Sequence, residues 1–196
     1  SAEEMRFAIE RNILVGVDSI SQLEMYGQIN PGGKVAVRFN PGKGAGHHEK
    51  VITAGKKTKF GIQKELVPQV KEIIKKYNLT LAGINQHIGS LFLDWRDYIE
   101  GVRSFLEIAK EFPNLSFLDL GGGFGVPYKP EESRLDLERL GKELDIVLTE
   151  FLEEYPNKDI IFKIEPGRYI VAECGVLLGS VNSVKTNYDT TYIGTD

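Results

Sequence analysis

The stretch "LSFLDLGGGFGVPY", residues 115–128, frames the reading of this protein. Its apolar start reads as a strand, and three consecutive glycines, Gly121, Gly122 and Gly123, follow directly. Glycine costs backbone entropy and offers no side chain to pack, so three together call for bare backbone. A dinucleotide fingerprint needs G-x-G-x-x-G leading straight into a helix. Here the third glycine position is Val126, and Pro127 and Pro130 prevent a helix from beginning at once. No Walker-type Lys-Ser/Thr follows. Two readings stay open for the turn: tight packing beneath a neighbouring strand, or a nest of exposed N–H groups for an anion.

Outward from the glycines, short apolar runs alternate with longer amphipathic stretches. Strands are expected over 12–19, 34–42, 79–90 and 115–125, and from 158 into a turn and then β-rich sequence through 185. Helices are expected over 19–29, 63–78, 93–112 and 134–154, with a further helix capped by Ser1. Pro68 either kinks the second of these or marks its true start. Residues 43–61 have no helical period and read as a long loop, a type of segment that tends to carry function. Strand-then-helix repetition is the signature of an α/β protein with a parallel sheet. An open doubly wound sheet and a closed eight-fold barrel both fit. Five or six strands in 196 residues fall short of a complete barrel, which takes about 250.

Composition narrows the function classes. A 41% hydrophobic and 27% charged chain is that of an ordinary globular protein. The net charge of −4, with both signs interspersed, gives no footprint for nucleic acid or a membrane surface. The single cysteine, Cys174, excludes an internal disulfide and fits a reducing compartment. No secretory leader and no apolar run of about 18 or more is visible, so the expectation is a soluble cytoplasmic protein. The β-prone end "TTYIGTD" and the abrupt helical start read as a piece of a longer chain.

In either α/β layout, ligands gather at the C-terminal ends of the strands. Those ends carry Arg38 and Asn40, then Gln86, His87, Gly89 and Ser90, then the three glycines, and then Glu165, Gly167 and Arg168. His87 alone reads equally as a hydrogen-bonded structural residue. Glu165 ends an apolar strand at a Pro166-Gly167 turn, where a carboxylate is costly unless it meets a cation or a donor. An internal ion pair with Arg168 is its structural reading; a protonated ring nitrogen is its functional one. His47 and His48 lack the carboxylate partners of a metal site, and no metal is expected. No G-x-S-x-G elbow supports a serine hydrolase.

Together "HIGS", "LDLGGGFGVPY" and "EPGRYIVAECGVLL" resemble the fold-type III pyridoxal phosphate (PLP) decarboxylases, most closely the branch acting on meso-2,6-diaminopimelate. The resemblance, which also takes in "NILVGVDSISQLE" and the run from Val35 to Ile62, covers nearly the whole chain. It implies a partial (β/α)8 barrel of the alanine-racemase type, spanning 1–196 and lacking its first strands and the C-terminal β domain. It also implies PLP as cofactor, an amino acid as substrate, and a homodimeric parent. His87 would stack on the cofactor ring, and Glu165 would face its nitrogen. Ser90, Gly121, Gly122, Gly123 and Gly167 would cradle the phosphate, and Arg168 would contact the phosphate or the substrate carboxylate. Arg38 would lie near the phenolic oxygen.

Three departures stand out. The Y-A-x-K-A-N motif, whose lysine anchors PLP covalently, has no counterpart here; Lys163 and the loop lysines Lys56, Lys57 and Lys59 are poor substitutes. The C-E-S-x-D segment is missing, and Cys174 lies in the wrong context. Asn85 and Gln86 stand where the family commonly reads His-Cys before the histidine. The resemblance therefore implies a decarboxylase whose parent is active and whose present span is inactive alone. A binding module that keeps the barrel without the lysine is the competing class, and ornithine, arginine or carboxynorspermidine are competing substrates.

Overall fold

The computed structural model describes residues 1–42, 54–55 and 58–196. Helix α1 (Ala2–Glu10) starts at a reciprocal cap: Ser1 Oγ accepts from the Glu4 N–H, and the Glu4 carboxylate returns to the N terminus. Strand β1 (Val15–Val17) leads into α2 (Ile20–Ile29), capped by Ser19. Then come β2 (Lys34–Asn40), a two-residue β3 (Ile62–Gln63), a 3-10 turn (Lys64–Leu66) and α3 (Val67–Lys76). Pro68 lies in the first turn of α3, where its missing N–H is no loss, so it marks the start of the helix and does not kink it. Strand β4 (Thr80–Asn85), α4 (Trp95–Ala109), β5 (Phe117–Gly122), α5 (Leu137–Glu154), β6 (Ile161–Glu165) and a short α6 (Gly167–Val171) complete the repeat.

The sheet order settles the layout. All pairings in the main sheet are parallel, and the path runs β1-β2-β4-β5-β6 with β3 beside β2 at its C-terminal end. Neighbours follow chain order without the reversal that defines a doubly wound sheet. The protein is an arc of a TIM-type barrel. The remaining strands, β7 (Val181–Asn187) and β8 (Thr190–Thr195), form a separate antiparallel ribbon.

The two faces of the arc differ in chemistry. Val35, Val37 and Phe39 of β2, Ile84 of β4 and Leu118 of β5 are fully buried against Val70 of α3 and Tyr98, Val102 and Phe105 of α4. Alternation puts Ala36, Gly83 and Phe117 in one row on the opposite, inner face. Phe117 fills the space that Gly83 leaves open. The next row toward the strand ends is polar: Arg38, Asn85, Asp119 and Lys163 are register partners from β2 to β6. A helix-facing apolar layer and an inward polar row are what a barrel needs to carry a site at its mouth.

Candidate functional site

The glycine turn is a β-bulge. Asp119 pairs with Lys163, yet the next pairing is Gly122 with Glu165, so β5 spends one residue more than β6. Gly121 takes the extra step in the left-handed region, φ 73°. A Cβ on Gly121, Gly122 or Gly123 would land on the carbonyl oxygens of Gln86, Glu165 and Gly89 respectively. The packed-turn reading is therefore correct, and it brings the ends of β4, β5 and β6 into backbone contact. The Gly121 N–H is spent on Asp119 Oδ1 at 3.0 Å, while the Gly122 N–H reaches His87 Nδ1 at a long 3.4 Å.

Arg38, His87 and Glu165 converge around this bulge. Burial, and then the positive charge of Arg38, hold the His87 imidazole below its ordinary range, with Asp119 pulling the other way. An accepting Nδ1 on a neutral ring leaves the proton on Nε2. Glu165 is exposed on its open flank, yet loss of hydration, and then the negative charge of Asp119, raise its carboxyl; Arg38 opposes this. A carboxylate already short of water gains strongly from a cationic N–H brought to it. Arg38 is itself held: its Nε lies 3.7 Å from Asp18 Oδ1, and its guanidinium stands 5.1 Å from the centre of the Phe60 ring. Asp18 in turn accepts the Gly61 N–H at 3.0 Å.

The other expected residues lie around this cluster. Ser90 is half-buried just beyond β4, next to Leu91, which adopts a left-handed φ of 66° that is uncommon for a residue with a side chain. Arg168 donates to the Tyr128 hydroxyl at 3.1 Å in place of an ion pair with Glu165. Gly167 opens α6 with free space in its Cβ direction, so packing does not demand glycine there. Lys163 lays its ammonium over the Phe117 ring at 4.0 Å, turned from the mouth. Lys59 lies near the Phe60 ring, whereas His47, His48, Lys56 and Lys57 are outside the described residues. Among the described residues no group of three metal-ligating side chains forms.

Sequence reasoning passed over Asp18, Asp119 and Tyr128, each of which orients a chosen residue. Asp18 directly follows β1 and Tyr128 lies in the loop after β5, both inside stretches already singled out, whereas Asp119 lies within β5 and its role depends on the bulge. Asn40 is similar. Its side chain donates to Gly55 O, Thr58 Oγ1 and Phe60 O and accepts from the N–H groups of Gly42 and Gly55, tying the end of β2 to the following segment.

A parallel barrel arc with a basic group, a neutral imidazole and a carboxylate around a glycine bulge defines a β/α-barrel domain with a polar site at its C-terminal mouth. The pyridoxal-dependent decarboxylase family, pyridoxal binding domain, matches residues 1–172, and the chain belongs to that family. Pyridoxal phosphate is the cofactor this membership implies. Diaminopimelate decarboxylase of Methanothermobacter thermautotrophicus is 36% identical over 192 residues, which is 95% of this chain and 45% of the relative. The Escherichia coli enzyme of the same name is 35% identical over 90% of this chain and 42% of its own. Diaminopimelate decarboxylase from Helicobacter pylori, solved with L-lysine, superposes with a TM-score of 0.84 at 30% identity, covering 100% of this chain and 50% of that one. The chain thus spans half or less of the length of these relatives. No helix among the described residues is long and apolar enough to cross a membrane.

Proposed function

We propose that residues 1–196 form the part of a PLP-dependent decarboxylase barrel that holds the cofactor's ring and phosphate. The parent acts on meso-2,6-diaminopimelate to give L-lysine, as a cytoplasmic homodimer. The observation that carries the reading is the convergence of Arg38, His87 and Glu165 on one glycine bulge at the strand ends. The donor set fits the cofactor: a cation and backbone amides for its anionic groups, a flat uncharged ring for its face, a desolvated carboxylate for its nitrogen. Bound there, the cofactor supplies a sink for the electron pair left when CO2 departs.

The residues divide the work. Glu165 keeps the ring nitrogen protonated, because ionisation becomes favourable once a cation sits beside it. His87, neutral and half-buried, presents its face to the ring. Gly122 and Gly123 supply amide donors; the long Gly122–His87 bond yields readily to a stronger, charged acceptor. Gly121 contributes the bend instead, since its N–H is already bonded. Ser90 and Gly167 line the phosphate, Arg38 faces the phenolic oxygen, and Arg168 faces the phosphate or the substrate carboxylate.

The position of Lys163 over Phe117 favours one second reading: a module that binds the cofactor without anchoring it. Titration of the chain with PLP, followed by borohydride and mass spectrometry, tests both. The expected result is a saturable absorbance change with no stable lysine adduct and no lysine formed from meso-diaminopimelate. Absence of binding overturns the site. A reduced lysine adduct with turnover overturns the claim that the covalent anchor lies elsewhere. A substrate panel on the full-length protein, with ornithine, arginine and carboxynorspermidine as competitors, tests the substrate.

A further inference from the structure

Asp119 poses a physical problem. It is a half-buried carboxylate at the mouth of a site that the preceding reading assigns to an anion, and its charge opposes both the ionisation of Glu165 and the binding of phosphate. No cation compensates it: among the described residues none lies within ion-pair distance. Its register partner Lys163 turns toward Phe117, and Arg38 pairs with Asp18. What Asp119 does make is the 3.0 Å hydrogen bond from the Gly121 N–H.

That bond sits at the extra residue of the bulge. Between Asp119 and Gly122 the register against β6 shifts, and the shift places Gly122 opposite Glu165 with its N–H toward His87. Without the bulge, Gly121 would face Glu165, and every later side of β5 would be inverted. The same peptide is held on its other side, where the buried Tyr98 hydroxyl points at the Gly121 carbonyl at 3.4 Å. Burial keeps that phenol protonated, so it remains a donor. Gly121 alone permits the left-handed step but does not require it, because glycine is equally at ease in other conformations.

We infer that Asp119 is a positioning residue: its carboxylate pins the bulge at Gly121 and so sets the register that joins Gly122, His87 and Glu165 in one site. The inference rests on the proposed site, but its test reads the bulge without any ligand. It uses the 15N-labelled chain and two variants, D119N, which keeps the acceptor and loses the charge, and D119A, which loses both.

Amide exchange at Gly121 should rise about tenfold in D119A and stay within about threefold of the parent in D119N, the difference expected for one charge-assisted hydrogen bond. The His87 ring should keep its Nδ1-accepting tautomer in D119N and lose it in D119A. Its pKa should fall in D119N, because Arg38 then faces it without the opposing charge; Glu165 is the remaining acidic group nearby. Should D119A not fold, D119V, β-favoured and of similar size, takes its place. Equal Gly121 exchange in all chains, or equal loss in D119N and the apolar variant, overturns the inference. PLP titration of the unaltered chain bears only on the proposed function, so the two failures are distinguishable.

Discussion

Gly122 and Gly141 show how differently one residue type can be required. A methyl group on Gly122 meets the Glu165 carbonyl, whereas one on Gly141, in the exposed face of α5, meets nothing. Gly122→Ala should cost about 1–3 kcal/mol by overpacking the β5–β6 contact. Gly141→Ala should add about 0.5–1 kcal/mol through helix propensity. Urea unfolding of both variants checks the pair, and equal effects would remove the packing argument. His87 supplies a pH signature. Its pKa is lowered in the folded chain from the ordinary 6.5, so the unfolded chain takes up the proton first as pH falls. Its contribution is present above about pH 6.5 and is lost progressively below it, toward the folded value. His87→Gln should flatten the stability slope in that window. Glu165, raised from 4.5, acts in the opposite sense at lower pH. The His87, Glu165 and Arg168 positions were legible because each ends a strand or opens the next loop. Asp119 was not, because its role depends on a bulge that no residue pattern announces.

At the scale of elements, the end of β2 is the most strongly specified point. Four of the five hydrogen bonds of Asn40 reach residues 15 to 20 positions further along the chain, and the residue is 2% exposed. Asn40→Leu strands several polar groups at once and should lose at least about 2 kcal/mol, measured by thermal or urea unfolding. A loss below that would mean that water replaces the bonds at little cost. Helices α1 to α5 were readable from their amphipathic period and, for α1, from the Ser1 cap; the structure adds Asp94 and Asp136 as caps of α4 and α5. Strands proved shorter than their apolar runs, since residues such as Ile88 and Phe124 are buried in loops crossing the mouth. Strand β3 was missed because two residues beside β2 carry no period of their own. Helix α6 was missed because Pro166-Gly167 reads as a turn, though proline and glycine serve here as its start.

Across the whole molecule, apolar exposure is concentrated late in the chain. Ile161 and Ile164 on β6, Ile170 on α6, and Leu177 and Leu178 before the ribbon are all exposed, the last two at 99% and 87%. Strand β6 pairs only with β5 among the described residues, so its outer edge also offers unpaired backbone. Apolar surface beside an open strand edge favours association. The chain should self-associate with rising concentration, and the double substitution Leu177→Lys and Leu178→Lys should lower the scattering mass at a given concentration. Light scattering on both chains checks this; identical profiles would show that the exposed leucines do not drive contact.

The sequence by itself determined the alternation of strand and helix, the existence of the five longer helices, and the residue types gathered at the strand ends, because these depend on local periodicity and chain direction. It also exposed the missing lysine motif. Only the tertiary structure decided between a doubly wound sheet and a barrel arc, since strand order is a matter of which edges meet. It alone showed what the three glycines are for. They let the carbonyls of Gln86 and Gly89, just past β4, and of Glu165 on β6 close on one turn, and a carboxylate two residues before Gly121 holds that turn in register.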